Sequence, residues 1–584
     1  TIAVTCGGAV TVIKDDGKVW DITFSDNPTC HGVLITDTGN IVFSVDFSAA
    51  AGGRYVKVYD LPESNIAEAR YYDLSSAITQ FSPTGLIKLS AHPTSVSYFH
   101  PRFIATKGKF LYMALTSGYQ YVWSGISIVH GFSDGVSNSN SMLAQITEAY
   151  NTGFMKGAIV GAFLSSVDTT SLVASGQLIT NGTFDSDVSG WTPSGGAIVT
   201  FDSNSLKLES TVEGNFGYCY QEFPTVVGEA YIVEVEFVAG GTASANYVQI
   251  GTSSSSTAYY NKSLGTAGAK EFFSFTAIST TSQVRLASGI SVGQYGFWDN
   301  ISVHLADKDR SANARGLQVN GTITRTPVAT GAELVSYSGF SPTNYLEQPY
   351  NAALDFGTGD FSVMGWVKHD STNYYRPLVT LFDTGQSEVN ALSIKINRDT
   401  DELYLSNNSI GSIMGDVLPI DAFNFICVTR NSGIASVYVN DQPATSGAWN
   451  ANILNNNNKL RLGVGGTTLG SEYAHNTEMA LWRISGTGAT ATDVSVAFNH
   501  EKGLFQKNAK AVLGQYGLLG SVYAYDEATG NFKFGNTAGV TTMHDRSLRI
   551  LERDGVGAST FIASTNCLLY TSPSPRDRQK SRMP

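Results

Sequence analysis

Several residue types and patterns are scarce in this chain of 584 residues, and each scarcity argues against a class of protein. The five cysteines, at positions 6, 30, 219, 427 and 567, lack the paired spacing of a disulfide framework or a zinc knuckle. Charged residues make up 15% of the chain, the net charge is −12, and no cluster of Lys and Arg forms a nucleic-acid-binding stripe. No apolar run approaches the roughly 18 residues that span a bilayer. We therefore expect neither nucleic-acid binding nor membrane insertion.

Catalytic motifs are also missing. The nine histidines are scattered and never take the His-x-x-x-His or His-Glu-x-x-His spacing that grips zinc. The chain has no Gly-x-Ser-x-Gly nucleophile turn and no Gly-x-x-x-x-Gly-Lys phosphate loop. Residues 330–490 lack the Glu-x-Asp-x-x-Glu triplet in which some glycosidases place two carboxylates on one strand. The sequence thus predicts a protein that is not an enzyme.

Glycine and aromatic residues are abundant, with 59 Gly, 28 Tyr, 30 Phe and 7 Trp. Short alternating apolar runs are separated by Gly, Asn, Asp and Ser, which is typical of stacked short strands. The length is sufficient for several separate cores. We predict an all-β chain of three or four domains, with one short helix near the C-terminus.

The first predicted region, residues 1–165, consists of hairpins. Runs at 9–13 and 18–22, and at 32–36 and 41–45, are joined by Asp-Gly or Gly-Asn turns. Similar units recur about one blade length apart, which predicts part of a β-propeller, truncated at the N-terminus. A β-sandwich is the rival interpretation.

Residues 177–306 form the second predicted domain. The opening Asn181-Gly-Thr-Phe-Asp-Ser-Asp-Val-Ser-Gly-Trp and the closing Tyr295-Gly-Phe-Trp-Asp-Asn-Ile-Ser-Val-His-Leu resemble carbohydrate-binding jelly rolls appended to glycoside hydrolases. That resemblance implies glycan binding, in which aromatic faces stack on sugars and a few polar groups fix orientation. The candidate residues are Tyr218, Tyr220, Tyr247, Tyr259 and Tyr260. Each also suits an ordinary half-buried strand position, and for Trp191 and Trp298 we expect core packing.

The same resemblance implies a structural calcium ion where the first and last strands of the jelly roll meet. Asp185 and Asp299 match the acidic positions of the two motifs, although Asp185 replaces a more usual Glu. Calcium takes six to eight oxygen ligands, including backbone carbonyls. The alternative for Asp185 is a turn cap beside Gly190.

Residues 330–490 are the third predicted domain. Leu354-Asp-Phe-Gly-Thr-Gly-Asp-Phe-Ser-Val-Met-Gly-Trp-Val-Lys, the strand at 425–430 and the Trp-containing strand at 481–485 resemble a laminin-G-like or concanavalin-like sandwich. Loops near Asp383, Asn408, Asp441 and 455–458 are weaker candidates for sugar or calcium, because every sandwich has polar loops.

Two segments follow the sandwiches. Residues 491–566 predict a helix and a β-hairpin, interpreted as completing the first region after the sandwiches are inserted. Residues 567–584 begin Cys-Leu-Leu-Tyr-Thr-Ser-Pro-Ser-Pro-Arg-Asp and resemble a translated sequencing adapter. We therefore expect a metagenomic fragment whose final segment is not natural sequence.

The flanks of the jelly roll indicate a biological setting. Residues 150–191, and the segment from Glu501 through the following hairpin, resemble tail-associated structural proteins of marine bacterial viruses. This implies a virion protein that binds host cell-surface glycans without catalysis, alongside other virion proteins and as a homo-oligomer whose weak contacts add up. The alternatives are a fragment of a secreted carbohydrate-active enzyme or adhesin, and sandwiches that act only as spacers.

Overall fold

The computed structural model describes residues 157–511 with short gaps, and isolated strands on either side of that range. The gaps are 241–244, 254–255, 312–314, 350, 371–373, 383–391, 408–409, 454–458 and 466–470, and the flanking strands lie between 2 and 145 and between 522 and 554. Within these described residues the chain is built from β-strands, with one α-helix and two 3₁₀ turns. The all-β prediction is confirmed.

The N-terminal region consists of small sheets. Its strands are β1 (Ile2–Cys6), β2 (Ala9–Ile13), β3 (Val19–Phe24), β4 (Thr29–Ile35), β5 (Asn40–Asp46), β6 (Arg54–Asp60), β7 (Ile66–Glu68), β8 (Gly85–Lys88), β9 (Pro101–Lys107), β10 (Phe110–Leu115), β11 (Tyr119–Ser124) and β12 (Ser141–Gln145). Two four-stranded sheets have the orders β1-β2-β3-β7 and β4-β5-β6-β8. The β2–β3 and β4–β5 pairs are antiparallel, as the hairpin patterns predict. A propeller blade is a sheet of four strands, so these sheets have the size of a blade, but the propeller itself stays a prediction.

The first sandwich contains two facing sheets of five strands. The strands of this part are β13 (Gly157–Phe163), β14 (Leu172–Val173), β15 (Thr192–Ser194), β16 (Ala197–Asp202), β17 (Ser205–Ser210), β18 (Gly217–Pro224), β19 (Ala230–Gly240), β20 (Asn246–Gly251), β21 (Tyr260–Ser263), β22 (Ala269–Thr276), β23 (Thr281–Ser288) and β24 (Tyr295–Asp307). One sheet has the order β15-β18-β23-β20-β21, and the other places β16, β17, β24, β19 and β22 side by side. Trp191 and Trp298 are buried between them, which confirms their predicted core role.

The second sandwich follows directly. Its elements are β25 (Leu317–Asn320), β26 (Thr322–Pro327), β27 (Val335–Ser338), β28 (Tyr345–Gln348), the 3₁₀ turn η1 (Ala352–Leu354), β29 (Phe361–His369), β30 (Arg376–Phe382), β31 (Leu392–Ile396), β32 (Glu402–Asn407), β33 (Gly411–Val417), β34 (Asn424–Asn431), β35 (Ile434–Val439), β36 (Thr445–Ala448), β37 (Lys459–Leu462), β38 (Val464–Gly465), β39 (Glu472–Tyr473) and β40 (Thr477–Ser485). Its two sheets enclose a core that includes Trp449 and Trp482. Because β24 pairs with β25, one sheet runs continuously through both sandwiches.

Two elements near the predicted domain boundaries contact the second sandwich. Strand β13, at the end of the predicted first region, pairs with β12 of that region and with β40, where Phe163 lies opposite Trp482. The helix α1 (Ala491–Glu501) and the 3₁₀ turn η2 (Lys502–Phe505), placed outside the sandwich by the boundary at 490, pack on its outer face. That face carries Trp366, whose ring stacks on Phe505 at 4.2 Å. An outward apolar ring needs a cover, and the helix supplies it.

The last described strands form a four-stranded antiparallel sheet of β41 (Val522–Asp526), β42 (Asn531–Asn536), β43 (Gly539–His544) and β44 (Ile550–Asp554). The β41–β42 pair is the hairpin predicted around the 526–530 turn. Strand β41 lies against β9 of the N-terminal region, as we expect if this segment completes that region. Residues 567–584 lie outside the described residues. None of the helices in the described part of the chain combines the length and the apolar character that crossing a bilayer requires.

Candidate functional site

The outer face of the five-stranded sheet brings three predicted tyrosines together. On β18 the inward residues, such as Cys219, are buried, while Tyr218 and Tyr220 point outward and are half-buried. Tyr247 points outward from β20 in the same way. Both strands pair with β23, so the small residue Ala287 lies opposite Tyr218 on one side and opposite Tyr247 on the other. The two rings therefore flank a single point of the sheet.

A row of polar side chains crosses the same face. Arg285 of β23 lies between Tyr220 and Gln249 in the strand register. Its Nε donates a hydrogen bond of 2.6 Å to Gln249 Oε1, and Gln249 Nε2 donates one of 3.1 Å to Asn261 Oδ1. The guanidinium carbon lies 4.5 Å from the centre of the Tyr218 ring. Burial lowers the pKa of Arg285, and the nearby Tyr218 opposes that change. We call the surface formed by Tyr218, Tyr220, Tyr247, Gln249 and Arg285 the platform.

Phe216 closes one end of the platform. Its ring centre is 6.0 Å from that of Tyr218, and it meets the Tyr247 ring edge-on at 5.2 Å. Phe216, Gln249 and Arg285 were missed by sequence reasoning, which considered only tyrosines. The available signal was Arg285, a single cation in the otherwise apolar run Val284 to Ala287.

Gln283, two residues before Arg285, lies on the same face of β23. Its side chain is 1% exposed, and neither amide atom has a hydrogen-bond partner among the described residues. A buried amide left without a partner costs about 1–3 kcal/mol. The neighbouring residue in the register is Gly251, where an added Cβ would overlap the Ser256 carbonyl oxygen, so the chain after β20 folds back close to this glycine. Near Gln283 the sheet therefore holds a polar side chain whose hydrogen bonds are not made within the described residues.

Tyr259 and Tyr260 do not join the platform, and their assignment as binding residues stays a prediction. The Tyr259 ring stacks on Phe275 at 4.5 Å, and its hydroxyl accepts a hydrogen bond of 3.0 Å from the backbone N–H of Ile278. The Tyr260 ring stacks on Phe273 at 3.7 Å. Both phenylalanines belong to the core between the sheets, so the two tyrosines close the edge of the sandwich. Burial and a hydrogen bond to Glu271 raise the pKa of Tyr260.

Asp185 and Asp299, the two carboxylates predicted to bind calcium, are close enough for their charges to interact. The pKa of Asp299 is raised, first because its carboxyl is partly buried and then because Glu236 and Asp185 lie nearby. Asp299 accepts a hydrogen bond of 2.7 Å from the backbone N–H of Asn300, and Asp185 accepts one of 2.8 Å from the Thr183 hydroxyl. No group of three His, Cys, Asp or Glu side chains within the described ranges is arranged to hold a metal. The side chains alone do not fit a calcium ion, and any such site would need main-chain oxygens.

One weaker candidate of the second sandwich falls in the described part of the chain. Asp441 lies at a cleft of about 600 Å³ between the sandwich and the α1–η2 segment, with Phe423, Phe505 and Lys502 among its walls. Asp441 Oδ1 accepts a hydrogen bond of 3.3 Å from Gln442. Asp383, Asn408 and residues 455–458 lie outside the described residues.

Comparisons with solved structures found distant similarities. A CBM4 structure is 18% identical over 22% of this chain and 99% of its own, with a TM-score of 0.18. Domain 4 of AbnA, a GH43 arabinanase from Geobacillus stearothermophilus solved with arabinotriose, is 15% identical over 33% of this chain and 92% of its own, with a TM-score of 0.26. Trypanosoma rangeli sialidase is 11% identical over 86% of this chain and 100% of its own, with a TM-score of 0.28. At these identities and TM-scores the similarities carry no conclusion about this chain.

Family models add a more specific result. A comparison with curated protein sequences found no significant match. Residues 340–495, however, match the model of the concanavalin A-like lectin/glucanases superfamily, which confirms the laminin-G-like or concanavalin-like sandwich predicted at 330–490.

Proposed function

We propose that this chain binds saccharides without cleaving them, and that the platform of the first sandwich is the binding surface. The observation that carries the proposal is the position of Tyr218, Tyr220 and Tyr247 on one face, next to the polar row of Arg285 and Gln249. Sugars present C–H faces that stack on aromatic rings and hydroxyls that pair with amides and guanidinium groups. The platform offers both kinds of contact within a few strands.

Gln283, whose buried amide atoms a bound sugar could not reach, is not part of the proposed contact surface. The match of the second sandwich to a lectin/glucanase superfamily is consistent with a saccharide-binding chain. Fold alone does not establish binding, so the proposal rests on the platform.

The test is a glycan array probed with the full chain and with two variants. Tyr247→Ala removes a platform ring, and because truncating a central aromatic anchor costs about 2 kcal/mol, binding should weaken about 30-fold. Tyr295→Ala is the matched control: Tyr295 is half-buried in the same sandwich but on the outer face of the opposite sheet. We expect the control to bind like the unmodified chain. Equal binding by both variants would rule out the platform as the binding surface, and no binding to any glycan at high valency would leave only the spacer interpretation.

The proposal also covers where the chain acts and that it does not cleave what it binds. We propose that the chain acts in a virion tail, on host-surface glycans, as a homo-oligomer with other virion proteins; the support is the sequence resemblance of residues 150–191. Linked weak sites gain affinity by raising the effective concentration of the second contact. Light scattering in solution tests the oligomer, and a monomer would remove the avidity argument. Release of reducing ends from any bound polysaccharide would show that the chain is instead an enzyme.

A further inference from the structure

We infer that the cleft between the second sandwich and the α1–η2 segment is a further saccharide-binding site, and that it takes an uncharged sugar residue. The cleft has a volume of about 600 Å³, within the range of about 300–1,000 Å³ that small-ligand sites occupy. It lies in a different sandwich from the platform, so the inference goes beyond the proposed function and does not depend on it.

Two turns at the end of the β34–β35 pair form one wall of the cleft. The turn before β34 contributes Asp421, Ala422 and Phe423, and the turn after β35 contributes Asp441 and Gln442. Because β34 and β35 are antiparallel neighbours, the start of one strand lies beside the end of the other. Phe423 is half-buried and the other four residues are exposed. This wall therefore presents polar side chains and one aromatic ring to the cleft.

Two asparagines hold these turns in place. Asn440 Nδ2 donates a hydrogen bond of 3.2 Å to Asn424 Oδ1, and Asn440 Oδ1 accepts one of 3.0 Å from the backbone N–H of Phe425. Asn424 Nδ2 donates to the backbone carbonyls of Pro419, at 2.8 Å, and Ala422, at 2.9 Å. Both asparagines thus fix the shape of the wall. A wall that is already ordered loses little conformational freedom when a ligand binds.

Aromatic rings form the base of the cleft, where its two walls meet. The Phe505 ring stacks on Trp366 at 4.2 Å, and its centre is 4.8 Å from that of Phe423 on the other wall. Phe498 stacks on the same Trp366 at 5.8 Å. Trp366 is buried, but the three phenylalanines are only half-buried, so part of each ring remains accessible. Rings of this kind pack against the C–H face of a sugar.

Charged side chains of both signs line the cleft above these rings. Lys368 forms an ion pair of 2.8 Å with Glu478, and Lys502 is exposed on the helix side. Asp421 and Asp441 are exposed on the opposite wall. An anionic ligand would meet two carboxylates and a cationic ligand two ammonium groups, so a net charge of either sign is disfavoured. Hydroxyls suit both kinds of group, because they donate to carboxylates and accept from ammonium groups. The lining therefore favours a neutral polyhydroxyl ligand, and together with the aromatic base it indicates a sugar.

The experiment measures binding of variants of the full chain to an array of neutral, uronic-acid, sulfated and glucosamine-containing glycans. Every variant also carries Tyr247→Ala, so that binding by the platform does not mask the cleft. Asp441→Ala removes a carboxylate that accepts hydrogen bonds from hydroxyls, and it should weaken binding of neutral glycans about 10-fold. Ala422→Trp places a large side chain at an exposed position of the cleft wall, and it should weaken the same glycans at least as much, because it occupies the space of the sugar.

Ala448→Trp is the matched control. Ala448 is also an exposed alanine of the second sandwich, but it lies on the edge strand β36 and outside the lining of the cleft. This change should leave glycan binding as it is in Tyr247→Ala alone. Isothermal titration calorimetry with the neutral oligosaccharide that binds best on the array gives the affinities in solution. Circular dichroism establishes that each variant is folded.

The outcomes separate the cleft from the platform. If Ala422→Trp and Asp441→Ala weaken no glycan more than Ala448→Trp does, the cleft is not a saccharide site and the inference is wrong. It is also wrong if the glycans that these variants lose are acidic or basic ones. Neither result bears on the platform, whose own test is the loss of binding caused by Tyr247→Ala in the otherwise unmodified chain.

Discussion

Replacing Glu501 by Gln should destabilise the second sandwich far more than the loss of one ion pair usually does. Glu501 ends α1 and is 2% exposed. One carboxylate oxygen is 2.5 Å from Arg483 Nη2, and the other accepts a hydrogen bond of 2.8 Å from Trp366 Nε1. Arg483 is fully buried on β40. The carboxylate thus fastens the helix to two strands of the sheet through a charge that has no access to water.

The expected magnitude follows from burial. A solvent-exposed ion pair contributes about 0–1 kcal/mol, because water solvates both charges when the pair is broken. Removing one partner of a buried pair costs about 3–5 kcal/mol, because the remaining charge stays in a medium of low dielectric constant. The substituted glutamine would keep the shape of the Glu501 side chain and lose only its charge. The free energy of unfolding of this sandwich should therefore fall by about 3–5 kcal/mol.

Hydrogen exchange with mass spectrometry is the suitable assay, because a multidomain chain has no single unfolding transition. Slowly exchanging amides in β29 and β40 should exchange roughly 100-fold faster or more in Glu501→Gln, since each 1.4 kcal/mol is a factor of ten. Peptides from the first sandwich provide an internal reference. Lys510→Gln is the control variant: it breaks a pair of 2.6 Å with Glu333 in which the lysine is 78% exposed, and it should change exchange by less than about 10-fold.

A double variant tests the physical cause. In Arg483→Met combined with Glu501→Gln neither charge of this pair remains, so exchange should slow again relative to Glu501→Gln alone. The reasoning would be refuted if Glu501→Gln accelerated exchange no more than Lys510→Gln does. It would also be refuted if the double variant lost more stability than Arg483→Met and Glu501→Gln lose separately, added together.

Burial and packing lead to three further predictions. In Gly365→Ala the new Cβ would overlap the Trp482 indole, so the second sandwich should lose about 1–3 kcal/mol in chemical denaturation; Gly503→Ala, with open space around it, should not. Burial raises the pKa of Asp309 from 3.8 to about 6. Its contribution to stability should therefore be greatest below pH 3.8 and be lost as the pH rises through about 6, and Asp309→Asn should lack this decline in denaturation curves. If calcium binds near Asp299, a chelator should speed amide hydrogen exchange in the first sandwich of the unmodified chain but not in that of Asp299→Asn.

Local patterns predicted most strands but not their long-range partners. Hairpins such as β2–β3 depend on a turn and two adjacent runs, and both are visible in the sequence. The pairing of β13 with β40 joins Phe163 to Trp482 across a long stretch of intervening chain, and no local signal specifies it. The helix was predicted from its apolar spacing, but its docking surface was not, because the need to cover Trp366 exists only after the sheet has formed.

The platform shows how much of a site can be predicted from the alternation of inward and outward side chains along a strand. In a strand, neighbouring side chains point to opposite faces, so Cys219 inside implies that Tyr218 and Tyr220 lie outside. The rule does not extend to Tyr259, which precedes β21, and it places Tyr260 toward the core, because its register partner Ile250 is buried. The same rule would have placed Arg285 outside, between buried Val284 and Leu286. What alternation cannot supply is which strands lie side by side, and that register alone brings Tyr218 and Tyr247 to the two sides of Ala287.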